Sequence, residues 1–154
     1  MPRYTPKDWF ECDLFELTAA GYTVEYEIKI SRSDFRADAA KELRRYNWAT
    51  GTHDVKHKHT KLADGTCFPN RFYYAVPEGL IKLEEVPAWA GLIEFRPNRK
   101  VNPTVAQDKV VKSAPRLHER KADPALRTEL YRTAYYRMIP RTCLVQVEEP
   151  DWSI

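Results

Sequence analysis

The sequence of 154 residues predicts a single domain of the α/β class, in which helices flank a mixed β-sheet. Two closely spaced segments near the N-terminus alternate with a period of two, which predicts a β-hairpin. A segment with helical periodicity follows, and aromatic, β-prone segments come after it. The hairpin supplies antiparallel pairing and the helical crossover supplies a parallel pair, so the sheet is expected to be mixed.

The predicted hairpin consists of Cys12–Leu17 and a second strand that begins at Thr23, with Gly21 in the connection. The second strand alternates strictly between an apolar and a charged face: Val24, Tyr26, Ile28 and Ile30 against Glu25, Glu27 and Lys29.

Residues 31–46 predict a helix, because apolar residues recur at helical spacing from Phe35 onward and Ser31 or Ser33 is suited to cap it. The remaining elements follow from β-propensity, glycine and proline positions. They are a polar loop (47–70), a buried strand (71–77), a short helix or turn (78–87), strands at 89–95 and 107–112, a helix from Asp123-Pro124 to Pro140, and a strand or arm at 142–154.

Composition excludes several classes of protein. The hydrophobic fraction is 43% and the charged fraction 31%, which is typical of a globular domain. No apolar run reaches the ~20 residues of a membrane span, and the N-terminus lacks a signal-peptide core, so no membrane association is expected. Three cysteines without a framework spacing predict a reduced, cytoplasmic protein.

Charge is segregated along the chain although the net charge is only +3. Residues 53–61 and the C-terminal third are basic, whereas acidic residues concentrate in 8–27 and 78–94. Such segregation suits a basic groove beside an acidic site, as in nucleic-acid-binding proteins. A solvated surface of mixed charge is the alternative.

Three residues of the hairpin form the candidate site. Glu27 and Lys29 share one face of their strand, and hairpin pairing can bring the Asp13 carboxylate beside that of Glu27. Two close carboxylates repel each other, and Mg²⁺ resolves the repulsion while keeping positions for water and a phosphate. A neighbouring lysine can orient the attacking water or stabilise charge on the phosphorus centre, which is the chemistry of phosphodiester hydrolysis.

The set Asp13 … Glu27-Ile28-Lys29 resembles the core motif of the PD-(D/E)xK, or restriction-endonuclease-like, nuclease superfamily. The segments YEIKISRSDFRAD, NRFYYAVPEGLI and VPAWAGLIEF are similar to its MmcB-like DNA-repair endonucleases of bacteria and phages. The resemblance covers residues 11–95 and, more weakly, 112–118. It implies a restriction-endonuclease-like core at about 11–96, followed by a basic extension at 97–154.

The resemblance also implies residue roles. Asp13 and Glu27 would bind Mg²⁺ or Mn²⁺, the carbonyl of Ile28 would be a further ligand, and Lys29 would be the catalytic lysine. Many members add a glutamate from a helix ahead of the hairpin, but only twelve residues precede Asp13, so Glu11 is the nearest candidate. Cys12 stands where the family motif has proline, a position that varies.

The expected function is therefore metal-dependent hydrolysis of DNA in phage or bacterial repair, recombination or processing, with a homodimer as a common arrangement in such nucleases. Lysine and arginine contacts to phosphate would hold the DNA. The candidate contacts are Arg32, Lys56, Lys58, His59, Lys61, Lys112 and Arg116.

Three alternatives stay open on the sequence. The fold could bind nucleic acid without cutting it, or the charged face could simply meet water. A zinc site at His53, His57, His59 and Cys67 is the third, although its spacing fits no common zinc signature and three lysines lie in the same stretch.

Overall fold

The computed structural model describes residues 1–98 and 102–138. The chain forms two compact units, Met1–Ala122 and Asp123–Ile154. Within the described residues, no helix is both long enough and apolar enough to cross a bilayer.

The first unit is built on a six-stranded mixed sheet whose strands lie in the order β1 (Pro2–Tyr4), β2 (Cys12–Leu17), β3 (Thr23–Ile28), β6 (Arg71–Pro77), β7 (Gly91–Asn98) and β8 (Asn102–Lys112); β4 and β5 form a separate sheet described below. β3 pairs in parallel with β6, and β6 with β7, whereas the outer pairs are antiparallel. The predicted α/β class with a mixed sheet is confirmed.

The N-terminal hairpin forms as its alternation predicts. β2 and β3 pair antiparallel, with Phe15 opposite Glu25 and Leu17 opposite Thr23. The loop after β3 leads into α1 (Arg32–Ala37), whose N-cap is Ser31: its side-chain oxygen accepts a hydrogen bond of 3.1 Å from the Asp34 amide.

The helix predicted over 31–46 is wrong beyond its first two turns. α1 ends at Ala37, a 3₁₀ turn covers Asp38–Ala40, and the chain then becomes strand β4 (Glu42–Asn47). β4 pairs with β5 (Thr52–His57) in a separate two-stranded sheet, which we call the ribbon. The predicted polar loop therefore contains β5 and also α2 (Lys58–Ala63).

The later elements agree more closely with the sequence. The strands predicted at 71–77, 89–95 and 107–112 correspond to β6, β7 and β8, and a 3₁₀ turn forms at Leu83–Glu85. β8 extends the sheet beyond the predicted core of 11–96. In the second unit, α3 (Pro124–Met138) begins after Asp123, whose carboxylate accepts from the Ala125 amide at 2.7 Å. Pro140 and the tail 142–154 lie outside the described residues.

The buried face of β3 is the charged one. Glu25, Glu27 and the following Lys29 are buried, whereas Ile28 is 44% exposed and Ile30 73% exposed. Aromatic side chains of β6 pack in this interior, where the ring centroids of Phe72 and Tyr74 lie 5.0 Å apart in an edge-to-face arrangement. A strand in the middle of the sheet thus carries its acids inward, and those acids need counter-charges.

Candidate active site

A cleft of about 440 Å³ opens at the C-terminal end of β3. The carboxyl ends of strands in α/β sheets are frequent binding positions. The residues that line the cleft come from β2, β3, α1 and the chain that leads to the ribbon: Asp13, Glu27, Ile28, Lys29, Asp34, Ala37, Asp38, Ala40 and Lys41.

Asp13 and Glu27 reach the cleft from neighbouring strands. The hairpin register pairs Phe15 with Glu25, so residues two steps further along, Asp13 and Glu27, lie on the same face. The Ile28 amide donates to Asp13 Oδ2 at 2.8 Å, which fixes the Asp13 carboxylate against the end of β3. This bond uses one of the two carboxylate oxygens.

Glu27 accepts hydrogen bonds from three ammonium groups. Lys29 and Lys41 bond its Oε1 at 3.0 and 2.9 Å, and Lys58 bonds its Oε2 at 2.6 Å. Burial acts to raise the pKa of Glu27, but attraction to Lys58 and Lys41 outweighs burial and lowers it. Glu27 is therefore held ionised.

Lys29 is enclosed by acids. Its ammonium lies 3.0 Å from Glu27 Oε1, 3.0 Å from Asp38 Oδ1 and 3.8 Å from Asp34 Oδ1. Burial favours the neutral amine, but these carboxylates, Glu27 first, raise the pKa of Lys29 above its ordinary value. Lys29 thus stays an ammonium at neutral pH, which suits charge stabilisation and water orientation better than proton abstraction.

Lys58 joins the two carboxylates of β3. Its fully buried ammonium lies 2.7 Å from Glu25 Oε1, and Trp9 donates its indole N–H to Glu25 Oε2 at 2.7 Å. Burial raises the pKa of Glu25, although the positive charge of Lys58 acts to lower it. Burial acts to lower the pKa of Lys58, but the carboxylates around it, Glu25 first, raise that pKa above its ordinary value. We call Glu25, Glu27, Lys29, Asp38 and Lys58 the buried charge network.

Asp38 anchors the other side of the network. Its Oδ2 accepts from His59 Nε2 and from the Tyr74 hydroxyl, both at 2.9 Å, while its Oδ1 faces Lys29. Burial would raise the pKa of Asp38, but the bond from His59 and the charges of Lys58 and Lys29 lower it. Asp38 is thus ionised and holds Lys29 in place.

The structure brings the predicted catalytic residues together and separates Glu11 from them. Asp13, Glu27, Ile28 and Lys29 all line the cleft, while Glu11 is exposed and outside the lining.

Two predicted DNA contacts belong to the interior instead. Lys58 has no exposed surface, and its ammonium faces Glu25 and Glu27. The prediction of Lys58 as a phosphate contact is therefore wrong. His59 bonds Asp38 and Tyr74, and its ring lies 4.9 Å from that of Trp89.

The other predicted contacts lie nearer the surface, and most of them have protein partners. Lys56 is half-buried on β5. Arg32 bonds the Leu80 carbonyl at 2.9 Å and pairs with Glu85. The remaining partners are Thr66 for Lys61, the Val86 and Pro87 carbonyls for Lys112, and Glu119 and the Tyr22 ring for Arg116.

Sequence reasoning missed Lys41, Asp38 and Asp34 as site residues. A carboxylate near the end of α1 and a lysine four residues from Ala37 carry no motif of their own. They reach the cleft because α1 stops early and the chain turns back toward β3, which the apolar spacing did not predict.

The cleft fits a hard cation by charge and donor type. Among the described residues, no three His, Cys, Asp or Glu side chains form a preformed metal cluster. The carboxylates at and beneath the cleft nevertheless outnumber the ammonium groups by two, which leaves a formal charge of −2 when His59 is neutral. The five carboxylates are those of Asp13, Glu25, Glu27, Asp34 and Asp38, and the three ammonium groups are those of Lys29, Lys41 and Lys58. Glu25 Oε1 and Asp38 Oδ1 also accept no regular hydrogen bond, although ammonium groups lie 2.7 and 3.0 Å away. A divalent cation at Asp13 and Glu27 would balance this excess.

No known protein family matches this chain, and no curated protein matches it either. A solved structure of a protein of unknown function from Silicibacter pomeroyi is similar, with 24% sequence identity and a TM-score of 0.52. The likeness covers 89% of this chain and 73% of that one. At this level of identity it shows that the two proteins share a fold.

Proposed function

We propose that this protein is a metal-dependent nuclease that hydrolyses phosphodiester bonds in DNA, on a core of the restriction-endonuclease-like type. The observation that carries the proposal is the convergence of Asp13, Glu27 and Lys29 on one cleft. The parallel pairing of β3, β6 and β7 beside an antiparallel hairpin is compatible with such a core. The sequence resemblance supports a bacterial or phage setting and a homodimer that cuts both strands, and the cysteine content supports a cytoplasmic location.

Asp13 and Glu27 would hold Mg²⁺ or Mn²⁺, with the Ile28 carbonyl as a further oxygen donor. Such an ion acts as a Lewis acid on a phosphate and lowers the pKa of bound water. Lys29, held by Glu27 and Asp38, presents a permanent positive charge at the cleft. That charge would stabilise the negative charge that builds up on the phosphate oxygens and orient the attacking water.

Cleavage of supercoiled plasmid with Mg²⁺ or Mn²⁺ tests the proposal. Lys29→Ala should lower the rate by about 10²–10³-fold, as for loss of one charge-stabilising group. Asp13→Asn should abolish metal binding and, with it, cleavage. Glu16→Gln is the matched control, because this carboxylate lies on the same strand as Asp13 but on the other face, where it accepts from Tyr26. Cutting by Lys29→Ala at the wild-type rate would exclude the mechanism.

A nucleic-acid-binding protein without cleavage activity is the second candidate. The observation in its favour is that both oxygens of Glu27 already have ammonium partners, so the network is balanced at that residue without a metal. The same samples decide between the two: a gel shift of DNA that is unchanged by EDTA, with no nicking in either metal, would favour binding alone.

A further inference from the structure

We propose that Lys41 is a displaceable counter-cation of the candidate metal site: its ammonium occupies the position on Glu27 Oε1 that a divalent cation requires, and it moves to the substrate phosphate when the cation binds. This inference rests on the proposed function and names how the same site would be regulated by its metal.

The three ammonium groups on Glu27 are held unequally. Side-chain exposure is 33% for Lys41, 7% for Lys29 and 0% for Lys58. Lys29 also faces Asp38 and Asp34, and Lys58 also faces Glu25, whereas the ion pair of Lys41 in the described part of the chain is with Glu27. Lys41 is thus the partner that Glu27 loses at the lowest cost, because its ammonium regains water.

A cation that binds Oε1 of Glu27 must remove one of its ammonium partners, because Lys29 and Lys41 already take both lone pairs of that oxygen, and Lys58 holds Oε2. Removal of Lys58 would leave Glu25 buried without a counter-charge, and removal of Lys29 would take from the buried Asp38 the ammonium that faces its Oδ1. Lys41 leaves no buried charge behind when it moves. The cation itself replaces the positive charge that Glu27 loses.

The backbone of Lys41 is fixed while its side chain can swing. The Lys41 amide donates to the Asp38 carbonyl at 3.1 Å, and its carbonyl accepts from the Lys58 amide at 3.1 Å. Lys41 also lines the cleft, so its ammonium stays at the cleft wall after it leaves Glu27. A flexible ammonium beside a cation site is suited to a phosphate oxygen.

Calorimetric titration of Mn²⁺ into the full chain without DNA tests the displacement. Lys41→Met should bind Mn²⁺ about two- to fivefold more tightly than wild type, because a half-exposed ion pair no longer competes. Lys41→Arg keeps the charge and should stay close to wild type. Lys56→Met is the matched control, because it removes the same charge from the ribbon without touching Glu27, and should change affinity less than about twofold.

A second experiment measures DNA affinity, to test whether the Lys41 ammonium contacts phosphate once the cation is bound. With a short duplex oligonucleotide, Lys41→Met should weaken binding about three- to tenfold when Ca²⁺ is present. Without a divalent cation, in EDTA, the same variant should bind DNA within about twofold of wild type, because Lys41 is then engaged by Glu27.

The outcomes separate this inference from the proposed function. If wild type binds Mn²⁺ and Lys41→Met binds it no more tightly than Lys56→Met does, the displacement is wrong. The proposed metal site is then still supported. Binding that is detected in Lys41→Met alone supports the displacement. If neither protein binds Mn²⁺ while both melt cooperatively, the metal-dependent function is wrong and the displacement falls with it.

Discussion

Two regions of the first unit use the same charged residue types in opposite ways. In the buried charge network, Glu27 and Lys58 are at most 3% exposed and lie 2.6 Å apart. In the ribbon, Glu42 and Arg44 lie 2.9 Å apart, but the Arg44 side chain is 69% exposed. The bond lengths are similar, and the difference is the solvent around them.

That difference decides what each ion pair does. An exposed pair contributes little, because water already solvates both ions and salt screens them. A buried pair has to compensate for desolvation, so replacing it with apolar residues often costs nothing, while removing one partner costs much. Stability alone therefore does not account for five buried charges beneath an open cleft, a setting in which functional sites often hold their ionisable groups.

The sharpest test of the comparison is Lys58→Met, which leaves Glu25 and Glu27 buried without their shared ammonium. We expect a loss of about 3–5 kcal/mol in the free energy of unfolding, measured by urea denaturation. The methylene stem of lysine is matched by methionine, so the loss reports the charge rather than a cavity.

Lys56→Met on the ribbon is the control for Lys58→Met and should cost less than about 0.5 kcal/mol. Adding Glu25→Gln to Lys58→Met should recover part of the stability, because one of the two uncompensated charges is then neutral. Equal losses for Lys56→Met and Lys58→Met would mean that burial does not separate the two regions.

The acid dependence of stability gives a smaller effect. The pKa of Asp38 is lowered below its ordinary value of 3.8, so its contribution is fully present above that value and is lost as the pH falls toward the folded-state pKa. Lys29 has a raised pKa, so its contribution is lost only as the pH rises beyond its ordinary 10.5. The network should therefore weaken in acid and hold at neutral pH.

Asp38→Asn isolates this effect, since it keeps the shape and removes the titrating group. Between pH 6 and pH 3, wild type should lose about 1 kcal/mol more unfolding free energy than Asp38→Asn, because the unfolded carboxyl begins to bind its proton only below its ordinary pKa of 3.8. Urea denaturation at each pH measures it, and parallel curves for the two proteins would show that Asp38 is not held ionised by its neighbours.

The two regions also differ in how far the sequence predicts them. The period-two pattern of β2 and β3 places Asp13, Glu27 and Lys29 on one face, and the structure has them there. β6 and β7 were predictable for a related reason, because their aromatic and aliphatic residues match a buried strand. The restriction-endonuclease-like core remains a prediction.

The ribbon and the counter-charges could not be predicted in the same way. β4 and β5 bury no apolar face, so they lack the alternation that marks a strand, and the spacing of Phe35 and Leu43 imitates a helix. The chain that passes through the ribbon returns Lys58 to Glu27 across 31 residues. No local pattern reports such a long-range pairing, and so Lys58 and His59 were predicted at the surface.

The smallest expected effect completes the comparison at the ribbon. Glu42 accepts from Arg44 Nε and Nη2 at 3.1 and 2.9 Å and lies 3.6 Å from His57 Nδ1. Despite these contacts, Glu42→Gln should change the free energy of unfolding by less than about 0.5 kcal/mol, because water replaces the lost charge interactions. The change should shrink further in 0.5 M salt. The loss caused by Lys58→Met should not shrink in the same way, because buried charges are poorly screened.

A loss above 1.5 kcal/mol in urea denaturation would contradict this expectation. It would mean that Glu42 transmits strain to Lys41 and Lys58 at the base of the ribbon, and the two regions would then have to be treated as one electrostatic unit.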